Sequence, residues 1–506
     1  MFTHSKLMSA SKGSVKTSMN YYLWGLNRIT YRFICGNMIL NVILKLMPKR
    51  YTFKNLLVLI FLLLVFTQVF IFGNINYYNK LTTPTPLFTV SLHKPGVNVS
   101  NKESNNDSFM LKIPSEAEFR MNWVKNKLET LAKHSERWEI MKLLNGVTPL
   151  NTPSTRVHIF YHGSYENMKI DGEWKLWNQE YIEKKRSEDY RLHYRGSHSP
   201  PEDIASNYYP ALGCYSSKDP QVIDAHFKQI RNAGIGVVVV SWYPLEVKSP
   251  TQDNMALLLN TAQKYNLKIA LQIEMYSGRN QESFLKNINY IMKKYSSHSS
   301  FYKFMKNGSY LPVYYVYESY LTPASSWKEL LAPGGNKTIR GTPHDGFFIG
   351  LLCNMSHRYE IERSHFDGFY TYFPSNGFSY GSSWKNWKTL EYFSKKRKIL
   401  FFPSVSPGYV DTQIRPWNTA LTRHRSHGAY YQVAWRSAIA AKPYGVSITS
   451  FNKWQDGSQI EPALPKATSQ FTYLDYEPEG PLFYLSLTRY WVKQFVFQNI
   501  YFDISQ

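Results

Sequence analysis

Short apolar runs that alternate with helical stretches constrain the fold of this 506-residue chain more than any other feature. From Arg156 onward, each run is long enough for one buried strand and most intervening segments are long enough for one helix. The run IGVVVVSW is typical of a parallel strand buried on both faces. The predicted strands cover residues 157–161, 235–241, 267–274, 311–317, 347–353, 368–373, 399–403 and 446–451, and the clearest helices cover 222–233, 254–265 and 282–294. Eight such units predict an α/β fold, a (β/α)8 TIM-type barrel, with an open doubly wound sheet as the alternative.

The N-terminal part has a different pattern, which predicts a membrane anchor. Residues 56–72 form an uncharged apolar run, at the short end of the ~17–25 residues that cross a bilayer. Lys45, Lys49, Arg50 and Lys54 precede the run, and the positive-inside rule therefore places the N-terminus in the cytosol. We predict a cytosolic basic segment (1–54), a transmembrane signal anchor (55–75), a flexible stem (76–114), a helical lead-in (115–155) and a lumenal (β/α)8 domain (156–506). Residues 1–46 are interpreted as an extension or a mis-assigned start.

The net charge of +23 is a poor indicator of nucleic-acid binding in this chain. The first 102 residues hold 12 of the 59 basic residues and no acidic residue, so about half of the excess belongs to the anchor region. No zinc finger, RNP motif or basic helix occurs elsewhere in the sequence. N-glycosylation sequons occur only downstream of the anchor, at Asn98, Asn106, Asn307, Asn336 and Asn354, which agrees with lumenal exposure.

The three cysteines do not indicate a disulfide scaffold. Cys35 lies on the predicted cytosolic side, whereas Cys214 and Cys353 lie in the predicted lumenal part. One disulfide between the latter two is compatible with an oxidising lumen, and two free buried thiols are the alternative.

Polar and aromatic residues follow the predicted strands, where a barrel of this kind builds its active site. They are His162, Trp242, Tyr243, Glu274, Glu318, Asn354, Asn452, Lys453 and Asp456. Carboxylates transfer protons and bind hydroxyl groups, and aromatic rings stack on sugar rings. The strand ends therefore predict a carbohydrate site at one rim of the barrel.

Motifs throughout the barrel region carry a family resemblance. They are SWYP (241–244), IExYS (273–277), FDGxYTYF (366–373), NGFxYGSS (376–383), PSxxPGY (403–409), DTxIRPWN (411–418), SITSFN (447–452) and QIE (459–461). They resemble the glycoprotein endo-α-1,2-mannosidases, glycoside hydrolase family 99. The resemblance implies a single-pass type II Golgi membrane protein whose lumenal barrel hydrolyses internal α-1,2-mannosidic bonds of mannose-rich, glucosylated N-glycans without a cofactor or metal. It also implies that substrate is bound by Glu274, Trp242, Tyr372, Arg415 and Asn452.

The loop after the eighth strand departs from the family pattern at both catalytic positions. The family loop reads NEWHEG, and its first glutamate removes a proton from the sugar 2-hydroxyl while its second protonates the leaving oxygen. Here the loop reads NKWQDG, so Lys453 stands at the position of the base and Asp456 is the candidate general acid. A lysine ammonium accepts no proton unless its pKa falls several units below ~10.4. We therefore expect Lys453 not to function as the base, and Asp456 to be one methylene short of its target.

Other groove positions also differ from the family. His162 and Ser164 replace an aromatic pair after the first strand, Met275 replaces a proline, and Asn354 with Met355 replaces two glutamates. The acids available as a replacement base are Glu274, Glu318 and Glu461. Two functions remain open from the sequence: an endo-α-1,2-mannosidase-like hydrolase, or a catalytically inactive glycan-binding protein of the same fold.

Overall fold

Eight parallel strands form a closed barrel in the part of the chain that the computed structural model describes, namely residues 146–182, 196–244, 249–469 and 471–503 with Leu144 and Val247. In chain order the described strands are β1 (Ser154–Tyr161), β2 (Tyr209–Pro210), β3 (Ile235–Trp242), β4 (Lys268–Ile273), β5 (Lys303–Lys306), β6 (Ser309–Val316), β7 (Phe347–Leu351), β8 (Gly368–Tyr370), β9 (Leu400–Phe402), β10 (Ser404–Val405), β11 (Val446–Ile448) and β12 (Ala463–Leu464). The main sheet runs β10-β11-β1-β3-β4-β6-β7-β8-β9, and every pair along this path is parallel. All eight predicted strands are present.

The barrel closes through a strand that is interrupted at Pro403. β9 pairs with β8, and β10, which follows one residue later, pairs with β11. Proline has no backbone N–H to donate to a ladder, so a break in the pairing at this residue is expected. The carbonyl of Pro403 still accepts from Ser447 N at 3.0 Å, which keeps the two halves in one continuous strand. The doubly wound alternative is therefore excluded.

Two antiparallel ladders were not predicted from the sequence. β5 pairs with β6 in a hairpin that turns at Asn307 and Gly308, both with positive φ. β2 pairs with β12, which joins the segment before the first long helix to the segment after β11. Both ladders involve strands of two to four residues on one side, which are too short to give a periodic signal in the sequence.

The helices alternate with the barrel strands and pack outside them. In chain order the described helices are α1 (Met168–Asp171), α2 (Pro220–Asn232), α3 (Pro250–Lys264), α4 (Gln281–Tyr295), α5 (Ala324–Leu331), α6 (His357–Arg363), α7 (Trp387–Arg397), α8 (Ala429–Ala441) and α9 (Phe483–Asp503). The three helices predicted most clearly are α2, α3 and α4. Their first turns begin earlier than predicted because Asp219 caps α2 through the N–H of Gln221 at 2.9 Å, and Asn280 forms a capping box with Ser283 at the start of α4.

The buried side chains form two layers, one inside the barrel and one between the strands and the helices. β3 is buried along its whole length, and its side chains alternate between the two layers. Val237 and Val239 belong to the inner cluster, whereas Val238, Val240 and Trp242 belong to the outer cluster. This alternation decides which residues at a strand end can face the rim of the barrel.

Cys214 and Cys353 are both free thiols. Cys353 is buried in the inner cluster, whereas Cys214 is half-buried and packs against the outer cluster. Burial raises the pKa of the Cys353 thiol to about 12 and that of Cys214 to about 11. Of the two alternatives drawn from the sequence, the structure contains the pair of free thiols.

The predicted cytosolic segment, signal anchor and stem lie outside the described residues, as does nearly all of the helical lead-in before residue 146. Within the described ranges, no helix has both the length and the apolar character needed to cross a bilayer.

The stability of the folded chain is expected to depend on pH through Glu391, on α7. Burial, partly offset by Lys395 at 3.5 Å, raises the pKa of its carboxyl to about 7 from an ordinary 4.5. The folded chain therefore retains this proton above the pH at which the unfolded chain loses it. The contribution to stability is present below about pH 4.5 and is lost as the pH rises through about 7.

We expect Glu391→Gln to remove the loss of stability at high pH, because the amide stays neutral at every pH. At pH 8 the variant should exceed the native chain in unfolding free energy by about 1–2 kcal/mol. Urea unfolding between pH 4.5 and 8 measures the difference. Parallel profiles for the two chains across this range would contradict the assignment.

Candidate functional site

The loop that follows β11 lies at the C-terminal rim of the barrel and carries the two positions of greatest interest. After Phe451 and Asn452 the chain enters a single 3-10 turn, Trp454–Asp456, and leaves it through Gly457 at φ +57°. A Cβ on Gly457 would lie 2.5 Å from Cγ1 of Val410, so this position requires glycine for space as well as for conformation. The tight turn brings side chains three residues apart onto one face.

Lys453 and Asp456 form an ion pair across this turn. The Lys453 ammonium lies 2.9 Å from Oδ2 of Asp456 and donates to the Tyr372 hydroxyl at 3.2 Å. The lysine side chain is 26% exposed and the aspartate side chain 10%. Burial acts to lower the pKa of Lys453, but the Asp456 carboxylate, Tyr372 and Tyr317 together outweigh it and hold that pKa well above its ordinary value. Lys453 is therefore a permanent cation.

Glu274 directly follows β4 and is a second carboxyl group at this rim, close enough to the ion pair for the charge of Lys453 to act on it. The rim surface around these residues is called the pocket. Glu274 is 8% exposed, accepts from Gln272 Nε2 at 2.7 Å and is hydrogen-bonded to Ser241. Burial raises the pKa of its carboxyl, and hydrogen bonds from Gln272 and Ser241 together with the charge of Lys453 oppose the rise. Glu274 can thus accept a hydrogen bond from a ligand hydroxyl or donate one while protonated.

Tyrosine rings line the wall beside the ion pair. The Tyr372 ring lies 5.2 Å from that of Tyr317 and 5.3 Å from the Lys453 ammonium. Burial raises the pKa of Tyr372 to about 12, so its hydroxyl remains protonated at neutral pH. Tyr243 lies close enough to Glu274 and Lys453 for both to act on its own pKa, which burial raises. Tyr243 and Tyr317 are half-buried and offer flat apolar faces with polar edges, whereas Tyr372 is only 2% exposed.

Arg415 lies at the edge of the site and is held by a buried acid. Its guanidinium contacts Oδ2 of Asp411 at 3.0 Å, and Asp411 is fully buried and also accepts from the Tyr409 hydroxyl at 2.7 Å. The Arg415 side chain is about one-third exposed and acts electrostatically on Asp456 as well. The structure therefore brings Lys453, Asp456, Glu274, Tyr372 and Arg415 together at one rim.

Asn452 has a different position from the one predicted. It is completely buried, and its carboxamide accepts from His162 N at 2.8 Å and donates to His162 O at 2.9 Å. This bidentate contact joins the end of β1 to the loop after β11 and leaves no surface for a ligand. Asn452 is a positioning residue behind the site, and its expected contact with substrate is not supported.

Trp242 is also placed away from the site. Its side chain is 0% exposed and packs against Tyr290 and Tyr295 of α4, at ring distances of 6.2 and 5.8 Å. The cause is strand parity, because Ser241 faces the barrel and Trp242 must then face the helices. Tyr243, the next residue along the chain, is the aromatic group near the ion pair. Counting alternate positions along IGVVVVSWY would have identified it.

The acids considered as replacement bases differ in how far their side chains are exposed at the rim. Glu461 is fully buried and accepts from Tyr215 OH at 2.8 Å, from Trp454 Nε1 at 2.9 Å and from His226 Nε2 at 3.1 Å, so it supports the loop from behind. Glu318 is half-buried at the rim with φ +47°. Of the candidates, only Glu274 and Glu318 remain on the rim side.

His162 and Ser164, the two positions after β1 that differ from the family, have different surroundings. His162 has a half-buried side chain whose Nε2 makes no hydrogen bond among the described residues. Burial and the charge of Lys453 lower the pKa of its imidazole well below the ordinary value, so it is neutral. Ser164 instead makes a hydroxyl contact with Thr251 at 3.3 Å. His162 therefore lies close enough to Lys453 for the lysine charge to act on it, whereas Ser164 contacts the start of α3.

A parallel eight-stranded barrel whose rim presents carboxyl groups, aromatic rings and basic side chains has the architecture of the barrel glycoside hydrolases. The model of glycosyl hydrolase family 99 matches residues 152–497, and the chain belongs to this family.

Relatives and solved structures extend the comparison. The chain is 45% identical over 355 residues to a glycoprotein endo-α-1,2-mannosidase of Rattus norvegicus, covering 69% of this chain and 77% of that protein. It is 44% identical over 345 residues to a glycoprotein endo-α-1,2-mannosidase-like protein of Homo sapiens, covering 67% and 76%. The structure of the GH99 endo-α-mannosidase from Bacteroides thetaiotaomicron superposes with a TM-score of 0.63 at 39% identity, covering 68% of this chain and 98% of that one.

Proposed function

We propose that this chain binds mannose-rich, glucosylated N-glycans in the rim pocket and has lost the hydrolytic step. The ion pair between Lys453 and Asp456 is the observation that carries this proposal. The family resemblance assigns these two positions to the catalytic base and acid. Both positions are occupied here, by a cation and by a carboxylate held in a salt bridge.

The chemistry of the reaction explains why this arrangement stops it. Removal of the proton from a sugar 2-hydroxyl requires an acceptor, and the ammonium of Lys453 has no lone pair. Protonation of the leaving oxygen requires an acid that is free to reach it, and the Asp456 carboxyl is engaged by the Lys453 ammonium at 2.9 Å. A misplacement of the acid by about 1 Å is sufficient to cost ~10²-fold in rate. Both halves of acid–base catalysis are therefore impaired by the same pair of substitutions.

The groups that recognise a sugar are retained. Tyr243 and Tyr317 supply aromatic faces and hydroxyl groups, Tyr372 packs beside Tyr317, and Glu274 supplies hydrogen bonds to ligand hydroxyls. Lys453 has three N–H donors, of which Asp456 and Tyr372 engage two. The third donor is available to a sugar oxygen at the position where the family base would accept a proton.

Hydrolysis by the native chain is the second candidate, and Glu274 favours it. Its carboxyl lies beside the pocket, and burial raises its pKa, as suits a group that donates a proton. In this alternative Glu274 acts as the acid. Glu318, the only other rim carboxylate among the acids considered above, acts as the base.

A Golgi membrane location with single-pass type II topology forms part of the proposal. Residues 55–75 would anchor the chain, and residues 156–506 would lie in the lumen. Asn307, Asn336 and Asn354 are exposed, as sequons of a lumenal protein should be. Protease protection of sealed Golgi vesicles tests this directly: the barrel should be protected until detergent is added.

The test of function separates binding from cleavage. A glucosylated mannose-rich glycan labelled at its reducing end is incubated with the purified chain, while calorimetry measures its Kd. We expect binding without release of a glucosyl-mannose disaccharide. Release of the disaccharide by the native chain favours the second candidate, and the absence of binding and cleavage together excludes both.

Matched substitutions at adjacent residues test the location of the pocket. Tyr243→Ala removes an aromatic wall, and we expect it to weaken glycan binding about tenfold, since one aromatic contact contributes roughly 1 kcal/mol or more. Trp242→Phe should lower the unfolding free energy by about 1–3 kcal/mol while leaving the Kd unchanged, because Trp242 contacts α4. The reverse pattern would place Trp242 rather than Tyr243 in the pocket.

A further inference from the structure

Three asparagines of N-glycosylation sequons are described, and all three are exposed on the barrel. Asn307 occupies the β5–β6 turn, at the N-terminal ends of the strands. Asn336 follows α5 and precedes β7, which places it on the same N-terminal face, since each helix returns the chain to that face. Asn354 lies three residues beyond the end of β7, on the C-terminal rim. Only this described sequon shares a face with the ligand pocket.

The residues around Asn354 indicate where it lies relative to the pocket. Cys353, the preceding residue, is in the inner cluster of the barrel, and Glu318 is close enough to act on its thiol. Glu318 in turn acts on Glu274, which lies beside the ion pair. Asn354 therefore follows a residue on which Glu318 acts, and Glu318 also acts on Glu274 at the same rim.

The local structure holds the backbone of Asn354 and leaves its side chain exposed. Its N–H donates to Nδ1 of His357 at 3.3 Å, and its carbonyl accepts from His357 N at 3.2 Å. Its side-chain amide makes no hydrogen bond within the described residues, and the next residue, Met355, is 56% exposed. A substituent on the amide nitrogen would extend into solvent without displacing any contact.

We propose that Asn354 carries an N-linked glycan that stands at the rim and competes with free glycan for the pocket. The proposal rests on the lumenal placement and glycan binding proposed above. In the modification, Nδ2 of Asn354 forms a bond to the anomeric carbon of a lipid-diphosphate-linked oligosaccharide. The bond from that carbon to the diphosphate oxygen breaks, the lipid diphosphate leaves and the amide loses one proton. No oxidant or reductant takes part.

The competition follows from tethering. A mannose-rich glycan attached at the rim belongs to the ligand class of the pocket, and short flexible linkage gives a tethered group an effective concentration in the millimolar range. Its branches therefore occupy or screen the pocket even when they bind weakly. Glycans on Asn307 and Asn336, on the opposite face of the barrel, lack this access.

The experiment uses the full chain expressed in cultured eukaryotic cells, with glycopeptide mass spectrometry and calorimetry. Asn354→Gln and Ser356→Ala both destroy the sequon, whereas Ser356→Thr preserves it and Asn336→Gln removes a sequon from the opposite face. The probe is a soluble glucosylated mannose-rich oligosaccharide. We expect both sequon-destroying variants to lose one glycan and to bind the probe about tenfold more tightly, and both controls to match the native Kd.

The outcomes distinguish this proposal from the proposed function. An unmodified Asn354 together with glycan on Asn307 or Asn336 overturns the rim site and leaves the lumenal placement standing. The absence of glycan from all three overturns both. A glycan on Asn354 whose removal does not change the Kd overturns the competition, and a chain that never binds the probe, with or without that glycan, overturns glycan binding itself.

Discussion

Replacement of Lys453 and Asp456 together by glutamate is expected to give this chain endo-mannosidase activity. The double variant removes the ammonium from the position of the base and restores the missing methylene of the acid, so that two carboxyl groups replace the ion pair. Positioned acid–base groups contribute roughly 10²–10⁴-fold to such reactions, and we expect a gain in the initial rate of disaccharide release within that range. A labelled glucosylated glycan and chromatography of the products measure it.

Matched variants separate the effect of charge from that of chemistry. Lys453→Gln with Asp456→Glu removes the cation and lengthens the acid but supplies no base, so we expect no gain in rate. Lys453→Glu alone should give a smaller gain than the double variant, because Asp456 remains one methylene short. An inactive double variant that still binds glycan with native affinity would show that the ion pair is not the sole cause of the lost hydrolysis. His162 would then be the next position to restore.

Glu461→Leu is expected to produce the largest loss of stability. The carboxylate is fully buried and is the shared acceptor for the Tyr215 hydroxyl, the Trp454 indole and the His226 imidazole. Its removal leaves these buried donors without this acceptor, and disruption of a buried charged network of this kind costs about 3–5 kcal/mol. Urea unfolding measures the change in the unfolding free energy.

The same variant should also weaken glycan binding. Trp454 begins the 3-10 turn that brings Lys453 and Asp456 together, and its indole is anchored by Glu461. Glu461→Gln keeps the shape and part of the acceptor capacity, so we expect a smaller loss of stability than with leucine. If leucine and glutamine cost the same, or if leucine costs less than about 1 kcal/mol, the network does not support the loop.

Much of the barrel could be predicted from the sequence, for identifiable reasons. Strands buried on both faces require continuous apolar runs, and such runs occur at all eight barrel strands, including 399–403, which Pro403 divides into β9 and β10. The short β5–β6 and β2–β12 ladders do not require continuous apolar runs. Their residues pair because the barrel and its C-terminal segment bring them together.

The candidate site was predictable at the level of the loop and less so at the level of single side chains. Lys453 and Asp456 are three residues apart, and a tight turn is sufficient to pair them. Asn452 and Trp242 occur in family-like motifs at strand ends, but one side chain bonds to the backbone of β1 and the other packs against α4. Neither outcome depends on the residues next to them in sequence.

The sequence by itself determined the family, the order of the barrel strands and the exchange of a catalytic base for an ammonium, because periodicity and residue chemistry are local properties. The tertiary structure decided which rim side chains reach the pocket and which act from behind it. Glu461 illustrates the difference, since its partners Tyr215 and His226 are 246 and 235 residues away along the chain. Contacts at such separations exist only after the parallel strands have closed, because closure brings the ends of all the strands to one rim.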